Sequence, residues 1–91
     1  MNSATQTWKP TLRDDLSLQR VDGELLLMDG QKEHLHQLNE VGTFILERCD
    51  GERTVEDIVD DIVARYAVTK KRAAEDTEAL LDEMKTLGIV N

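Results

Sequence analysis

Residues 38–66, LNEVGTFILERCDGERTVEDIVDDIVARY, decide the fold of this chain. The stretch predicts a helix that begins near Asn39 and a second helix capped by Thr54, with Asp50-Gly51 breaking the chain between them. Across residues 55–66, apolar side chains recur at i, i+3, i+4, i+7, i+8 and i+11, which is typical of a helix with one face on a core. The stretch therefore predicts a scaffold, and it leaves no residue free for catalysis.

Three short runs with apolar residues precede this stretch, at residues 16–21, 24–29 and 33–38. Asp22-Gly23 separates the first two runs, and Asp-Gly tolerates the positive φ angles of a tight hairpin turn. A second turn begins at Asp29-Gly30. The second run reads LLLM at its centre and is apolar on both faces, as expected of a central strand. The three runs predict an antiparallel meander.

A third helix is predicted from about Lys70, with Thr69 as its N-cap, to Leu87. Gly88 suits the left-handed residue of a Schellman ending, and Ile89 is expected to pack back on the helix. Strands that come first and helices that follow indicate an α+β protein. The predicted architecture is winged helix-turn-helix-like, with a three-stranded antiparallel sheet followed by three helices.

The chain divides into an arm and one small domain. Residues 1–15 are polar and contain the only proline, so they predict a flexible N-terminal arm, from which Trp8 or Leu12 could dock. Residues 16–91 form the predicted domain. A chain of 91 residues buries only about 60–65% of its unfolded surface, so its core is thin.

Charge and composition exclude several functions. The formal net charge is −8, with 19 acidic residues against 11 Lys and Arg, which argues against binding to nucleic acid or to an anionic membrane. No segment approaches the roughly 20 apolar residues of a membrane span, and the N-terminus does not read as a secretory signal. The single cysteine cannot form an internal disulfide, which fits a cytoplasmic protein. The partner is expected to be a protein or a peptide.

With these features in place, the chain resembles the PqqD-like family of winged-helix modules, also called RiPP recognition elements. The resemblance covers about residues 16–90. It is carried by the leucine-rich second strand, by LNEVGTFIL and CDGERTVEDIV, by Tyr66 at the end of the second helix, and by DTEALLDEMKTLGIV from Asp76 onward.

The resemblance implies that the protein binds the leader segment of a ribosomally synthesised precursor peptide and presents it to a modifying enzyme, often a radical SAM enzyme. It implies that the leader adds as a strand beside the third strand and against the third helix. The peptide-binding residues that it implies lie on these two elements: Glu33, His34, Leu35, His36, Gln37, Leu38, Arg72, Asp76, Ala79, Leu80 and Glu83.

The residues themselves support strand addition. The third strand of a meander is an edge strand, whose unpaired N–H and C=O groups are a template for a partner strand, unless a loop, the arm or a second copy covers them. Positive charge at the start of the third helix opposes the helix dipole. Arg72 therefore either meets a ligand carboxylate or pairs with Asp76 one turn later.

The remaining polar residues suggest less chemistry. His34 and His36 share one face of a strand, but zinc needs three or four ligands and no third ligand shows clear spacing, so no metal and no cofactor is expected. Cys49 is expected to be a small buried hydrophobe at a helix end.

Three other functions compete with peptide binding. An adaptor or oligomerisation domain without a leader peptide is the main alternative, and the chain could be a monomer or a homodimer. A DNA-binding winged helix conflicts with the acidic third helix. An enzyme is disfavoured because no nucleophile, base or cofactor motif forms a convincing set.

Overall fold

The computed structural model describes residues 8–91. Its strands are β1 (Ser17–Val21), β2 (Glu24–Asp29) and β3 (His34–Leu38), and its helices are α1 (Glu40–Glu47), α2 (Val55–Arg65) and α3 (Lys70–Thr86). The strands form one antiparallel sheet in the order β1-β2-β3, so β1 and β3 are its two edges. The predicted α+β class and the order of its elements are confirmed.

The β1–β2 hairpin fixes the register of the sheet. Asp22 (φ 53°) and Gly23 (φ 82°) both have positive φ, as a two-residue type I′ turn requires, and Val21 lies opposite Glu24. From this turn, alternate residues of β2 point to opposite faces. Leu25 and Leu27 are buried on the inner face. The outer face of the sheet is uncovered, so Met28 keeps 49% of its surface exposed although it lies on the central strand.

The caps predicted from sequence are formed. The Asn39 side chain accepts from the Gly42 N–H at 2.8 Å at the start of α1. Thr54 and Asp57 form a capping box at the start of α2, each side chain accepting from the other residue's backbone N–H. Thr69 caps α3 by accepting from Arg72 N–H. These bonds satisfy N–H groups that a helix leaves unpaired, and they set where each helix begins.

A Schellman motif ends α3. Gly88 has φ 77°, its N–H donates to the Lys85 carbonyl, and the N–H of Ile89 donates to the Met84 carbonyl at 2.8 Å. Ile89 and Met84 are both buried, which is the hydrophobic contact that accompanies this ending.

Helix α1 connects the sheet to the other two helices. Its Thr43 is buried, and its hydroxyl accepts from the Leu25 N–H at 2.8 Å and lies 3.3 Å from the Leu38 carbonyl, to which it donates. The hydroxyl thus bridges β2 and β3 where the strands separate. The buried apolar residues form one core, which lies between the inner face of the sheet and the helices: Leu25, Leu27, Leu38, Ile45, Leu46, Cys49, Val55, Ile58, Val59, Ile62, Ala73, Leu81, Met84, Ile89 and Val90.

The N-terminal arm differs from its prediction over residues 8–15, which we call the docked segment. Residues 1–7 of the arm lie outside the described residues. In the docked segment, Thr11 pairs with Asp50 and Leu12 with Val90 in antiparallel bridges. The Trp8 indole N–H donates to the Asn91 carbonyl at 2.8 Å. Backbone pairing with distant parts of the chain therefore holds residues 8–15 in place, and Trp8 and Leu12, which were expected to be able to dock, both take part.

The Gly51 turn is expected to be intolerant of a side chain. Gly51 has φ 82°, and an added Cβ would lie 2.8 Å from Thr11 Oγ1 in the docked segment. Gly51→Ala should lower the free energy of unfolding by about 1–2 kcal/mol, because alanine is strained in the left-handed backbone conformation. The clash with Thr11 should lower it further. Gly30→Ala is the matched control, since nothing lies within 4 Å of its Cβ position. Urea denaturation of both variants tests this, and equal midpoints would contradict it.

Asp29 is the most buried carboxylate among the described residues. It is 1% exposed, and its Oδ1 accepts from Arg13 Nη2 at 2.6 Å and from the Gln31 N–H at 3.2 Å. The hydrogen bond from Arg13 is the main cause that lowers the pKa of Asp29, and the backbone donors of the β2–β3 turn lower it further, while desolvation opposes them. The carboxylate thus stays ionised at the end of β2.

Stability should depend on pH through this carboxylate. Because folding lowers the pKa of Asp29, its contribution is complete above its ordinary value of 3.8 and is lost as the pH falls through the folded value. On this account, the urea concentration at the midpoint of unfolding should be constant between pH 7 and about pH 5. It should decrease at pH values below about 4. Asp29→Asn should be less stable than wild type at pH 7, with a smaller decrease in acid. An equally steep decrease in the variant would assign the acid transition to other carboxylates.

Candidate functional site

A groove separates β3 from α3. The start of the groove lies near Lys32, whose ammonium contacts the Leu87 carbonyl at the C-terminal end of α3, and its other end lies where Leu38 and Arg72 line one cavity. The strand and the helix therefore run in opposite directions. Both elements are fully described, and no Cα atom of β3 comes within 8 Å of a Cα atom of α3.

A cavity of about 580 Å³ forms the wider end of this groove. Its apolar lining comes from β3, from the first turns of α1 and from α3. Polar side chains of Gln37, Asn39, Arg72 and Asp76 surround this apolar part. The full lining is Gln37, Leu38, Asn39, Val41, Gly42, Ile45, Arg72, Asp76 and Leu80. An apolar floor with a polar rim is typical of a site that holds an apolar side chain of a ligand and orients the rest of that ligand.

The register shows which backbone groups face the groove. The pair that closes a two-residue hairpin is hydrogen-bonded, so Glu24, Leu26 and Met28 of β2 bond to β1. The alternate residues of β2 then bond to β3, opposite His34, His36 and Leu38. The N–H and C=O groups of Leu35 and Gln37 therefore point away from β2, toward the open edge. They are unpaired within the sheet and available to a partner strand.

The charged residues at the start of α3 are partly neutralised. Arg72 Nε lies 3.2 Å from Asp76 Oδ2, an exposed pair one helical turn apart at the rim of the groove. Lys70 Nζ lies 3.7 Å from Asp60 Oδ1 of α2. Exposed pairs of this kind are weak, about 0–1 kcal/mol, so Arg72 and Asp76 could separate for a ligand at little cost.

His34 and His36 stand on the same face of β3, with ring centroids 6.0 Å apart and the rings nearly perpendicular. Within residues 8–91, no group of three or more His, Cys, Asp or Glu side chains could hold a metal ion. Cys49 is buried, its thiol donates to the Ile45 carbonyl, and desolvation raises its pKa to about 12. That thiol is a packing group, as the sequence predicted, and a poor nucleophile.

The structure brings five of the eleven predicted peptide-binding residues together around the cavity. Gln37, Leu38, Arg72, Asp76 and Leu80 line the cavity. The other predicted residues of β3 lie further along the same strand, and Leu35 has 61% of its surface exposed on the outer face of the sheet.

Three of the predicted residues leave their predicted strand or do not line the cavity. Glu33 is not part of β3: it has φ 56°, a left-handed conformation that a strand excludes, and it belongs to the β2–β3 turn. Ala79 and Glu83 are exposed on α3 and do not line the cavity, although they lie about two helical turns beyond Arg72 and Asp76, on the same side of the helix. Their place in a peptide site stays a prediction.

Sequence reasoning missed the contribution of α1. Asn39, Val41, Gly42 and Ile45 line the cavity, although this stretch was expected only to begin a helix near Asn39. The signal was present in the sequence, since α1 follows β3 without a linker and its first turn must therefore lie at the end of that strand.

Among residues 8–91, no helix combines the length and the hydropathy needed to cross a membrane. Known proteins resemble this chain in sequence and in fold. The family model described as coenzyme PQQ synthesis protein D (PqqD) matches residues 24–90. The PqqA binding protein of Bradyrhizobium diazoefficiens is 31% identical over 52 residues, which are 57% of this chain and 50% of that protein. The match thus spans half the length of this curated relative.

Two solved structures share the fold. The structure described as lasso peptide synthetase B1 complexed with the leader peptide has a TM-score of 0.80 and 25% identity, and the match covers 91% of this chain and 98% of the other. TbiB1 in complex with the TbiA(beta) leader peptide also has a TM-score of 0.80, with 23% identity over 89% of this chain and 94% of the other. The family match runs from the start of β2 to Val90 and thus includes all three helices. The chain therefore belongs to the PqqD family.

Proposed function

We propose that this protein binds the leader segment of a ribosomally synthesised precursor peptide by strand addition and delivers it to a peptide-modifying enzyme. The observation that carries the proposal is the outward-facing backbone of Leu35 and Gln37, which lies beside an apolar-floored groove. Edge strands with free N–H and C=O groups recruit extended peptides through main-chain hydrogen bonds, and pockets beside the edge select the side chains.

The dimensions of the site suit a short peptide segment. A strand of five residues is about 17 Å long, so β3 can pair with about five residues of a leader. Alternate side chains of an added strand point to opposite faces of the sheet. One set would enter the groove, toward Val41, Ile45 and Leu80, and the other set would extend the outer face beside Leu35.

The family relatives support this proposal. One is named for binding PqqA, and the two solved structures of the same fold hold leader peptides. The acidic balance of the chain, with a net charge of −8, supports a peptide rather than a nucleic acid as the ligand. In this proposal the protein holds its peptide without transforming it, acts in the cytoplasm where precursors are translated, and leaves the chemistry to a separate enzyme such as a radical SAM protein.

An NMR titration tests the proposal directly. The ¹⁵N-labelled protein is titrated with a synthetic leader from a short precursor encoded near its gene, and with a scrambled leader of the same composition as a control. We expect saturable shifts in β3 and in the α3 residues from Arg72 to Leu80, and none in the acidic face of α2. Absence of shifts in folded protein would contradict leader binding and would favour the alternative of an adaptor or oligomerisation domain.

A further inference from the structure

Helix α3 is tied to the sheet at one end of the groove. The Lys32 ammonium, from the β2–β3 turn, donates to the Leu87 carbonyl at 2.8 Å. Among the described residues, this is the only hydrogen bond between residues 17–38 and residues 70–91. At the other end, Gln37 and Leu38 face Arg72 and Asp76 across the cavity without a hydrogen bond.

Arg13 makes a second link at the same end. Its guanidinium donates through Nη2 to Asp29 Oδ1 at 2.6 Å, at the end of β2, and through Nη1 to the Gly88 carbonyl at 3.1 Å, just after α3. Asp15 contacts the Nε of the same guanidinium and also accepts from the Gln31 side chain at 2.7 Å. The docked segment thereby joins the sheet to the end of the helix, although it belongs to neither.

Both cations bind carbonyls at the C-terminal end of α3. The last carbonyls of an α-helix have no intrahelical partner, and the helix dipole places partial negative charge there. The Schellman motif satisfies the carbonyls of Met84 and Lys85. Lys32 binds the carbonyl of the C-cap residue Leu87, and Arg13 binds that of Gly88 just after the helix, so two distant segments each supply a cation to one helix end.

We propose that Lys32 and Arg13 form a clamp that sets the width of the groove, so that both act as positioning residues for the leader without contacting it. The inference deepens the proposed function and rests on it, because the clamp fixes the distance between β3 and α3, the two elements that border the groove. At the other end of the groove, no hydrogen bond among residues 8–91 joins β3 to α3, and α1 contacts both elements.

The geometry gives each cation a separate role. Lys32 is an exposed side chain on a turn, and its substitution removes the link between turn and helix while leaving the core intact. Arg13 also organises Asp29 and the docked segment, so its loss should affect stability as well as groove width. Lys32 is therefore the better residue for a test of positioning.

The groove width is measured on the protein alone. Spin labels are attached to cysteines introduced as Gln37→Cys and Ala79→Cys, both exposed, on opposite sides of the groove. The native Cys49 is buried with a thiol pKa raised to about 12, so it should not react. Electron–electron distances are then compared among the doubly labelled parent, Lys32→Met, the rescue variant Lys32→Arg and the control Lys71→Met, which removes a charge at the far end of α3.

We expect Lys32→Met to broaden the distance distribution and to weaken binding of the synthetic leader, in the unlabelled protein, by about 5- to 10-fold. Lys32→Arg and Lys71→Met should match the parent in both measurements, and the melting temperatures of all four should agree. A distribution for Lys32→Met as narrow as the parent's would overturn the clamp, whatever the leader does. A broadened distribution with unchanged affinity would overturn its role in binding, whereas a wild-type protein that ignores the leader contradicts the proposed function instead.

Discussion

Leu35→Pro is expected to abolish leader binding while the protein stays folded. The Leu35 N–H points away from β2, so proline removes no hydrogen bond of the sheet, and its ring occupies the side where a peptide strand would pair. The lost donor leaves a leader carbonyl unpaired, which costs about 2 kcal/mol or more, or roughly 30-fold in affinity. Isothermal titration calorimetry with the synthetic leader measures the loss, and Gln37→Pro should have the same effect.

The opposite edge of the sheet offers a matched control. Leu18 lies in β1, and its N–H also points outward, because Ser17, Gln19 and Val21 make the bonds to β2. Leu18→Pro should therefore perturb the sheet to a similar degree without affecting the leader. Undiminished binding by Leu35→Pro and Gln37→Pro would exclude strand addition at β3, and equal losses in Leu18→Pro would point to a general effect on folding.

Thr43→Val should produce the largest loss of stability among the substitutions considered. The side chain keeps its shape, but the Leu25 N–H and the Leu38 carbonyl lose the hydroxyl that joins them in a buried site. An unpaired buried group costs about 1–3 kcal/mol, so the two together should lower the free energy of unfolding by about 2–4 kcal/mol. Leu38 also lines the groove, so leader affinity should fall too.

The same substitution at Thr77 should have the opposite sign. Thr77 is fully buried in α3, and its hydroxyl has no hydrogen-bond partner among residues 8–91. Thr77→Val replaces an unsatisfied polar group with an apolar one and should stabilise the protein by about 1 kcal/mol. Chemical denaturation of both variants measures the contrast. If the two substitutions have equal effects, the Thr43 hydroxyl does not bridge the strands.

The elements that sequence predicted well are those whose signals are local. The Asp22-Gly23 turn, the Thr54 capping box and Gly88 each depend on residues within four positions of one another, and all three form as expected. The apolar period of α2 likewise places Val55, Ile58, Val59 and Ile62 in the core. Short-range sterics and hydrogen bonds decide such features.

The features that sequence missed depend on distant partners. The docked segment pairs with the α1–α2 loop and with the end of the chain, and nothing in its polar composition indicates either partner. Thr43 was overlooked because the hydrogen bonds of its hydroxyl become apparent only when the two strands beside the helix are known. Glu33 was placed in β3 because the boundary of a strand depends on the backbone angle of one residue.

The candidate site also contains some features that the sequence predicted and others that it did not. The edge strand and the α3 wall could be inferred from the order of the elements together with the family resemblance. The α1 residues of the cavity floor were missed although α1 follows β3 directly, because their packing against the core conceals their second contact with the groove. The clamp formed by Lys32 and Arg13 was beyond sequence reasoning, since both residues act on a helix end more than fifty positions away.

The bond between Trp8 and Asn91 has a consequence for the kinetics of folding. The meander and the helices form from neighbours in the chain, whereas this contact joins residues 83 positions apart, the widest separation between hydrogen-bonded residues in the described range 8–91. Closing a long loop is entropically costly until other contacts shorten it, so we expect the docked segment to assemble last in refolding and to detach first in unfolding. Because Trp8 is the only tryptophan, its fluorescence would report that final step alone, while circular dichroism follows the rest.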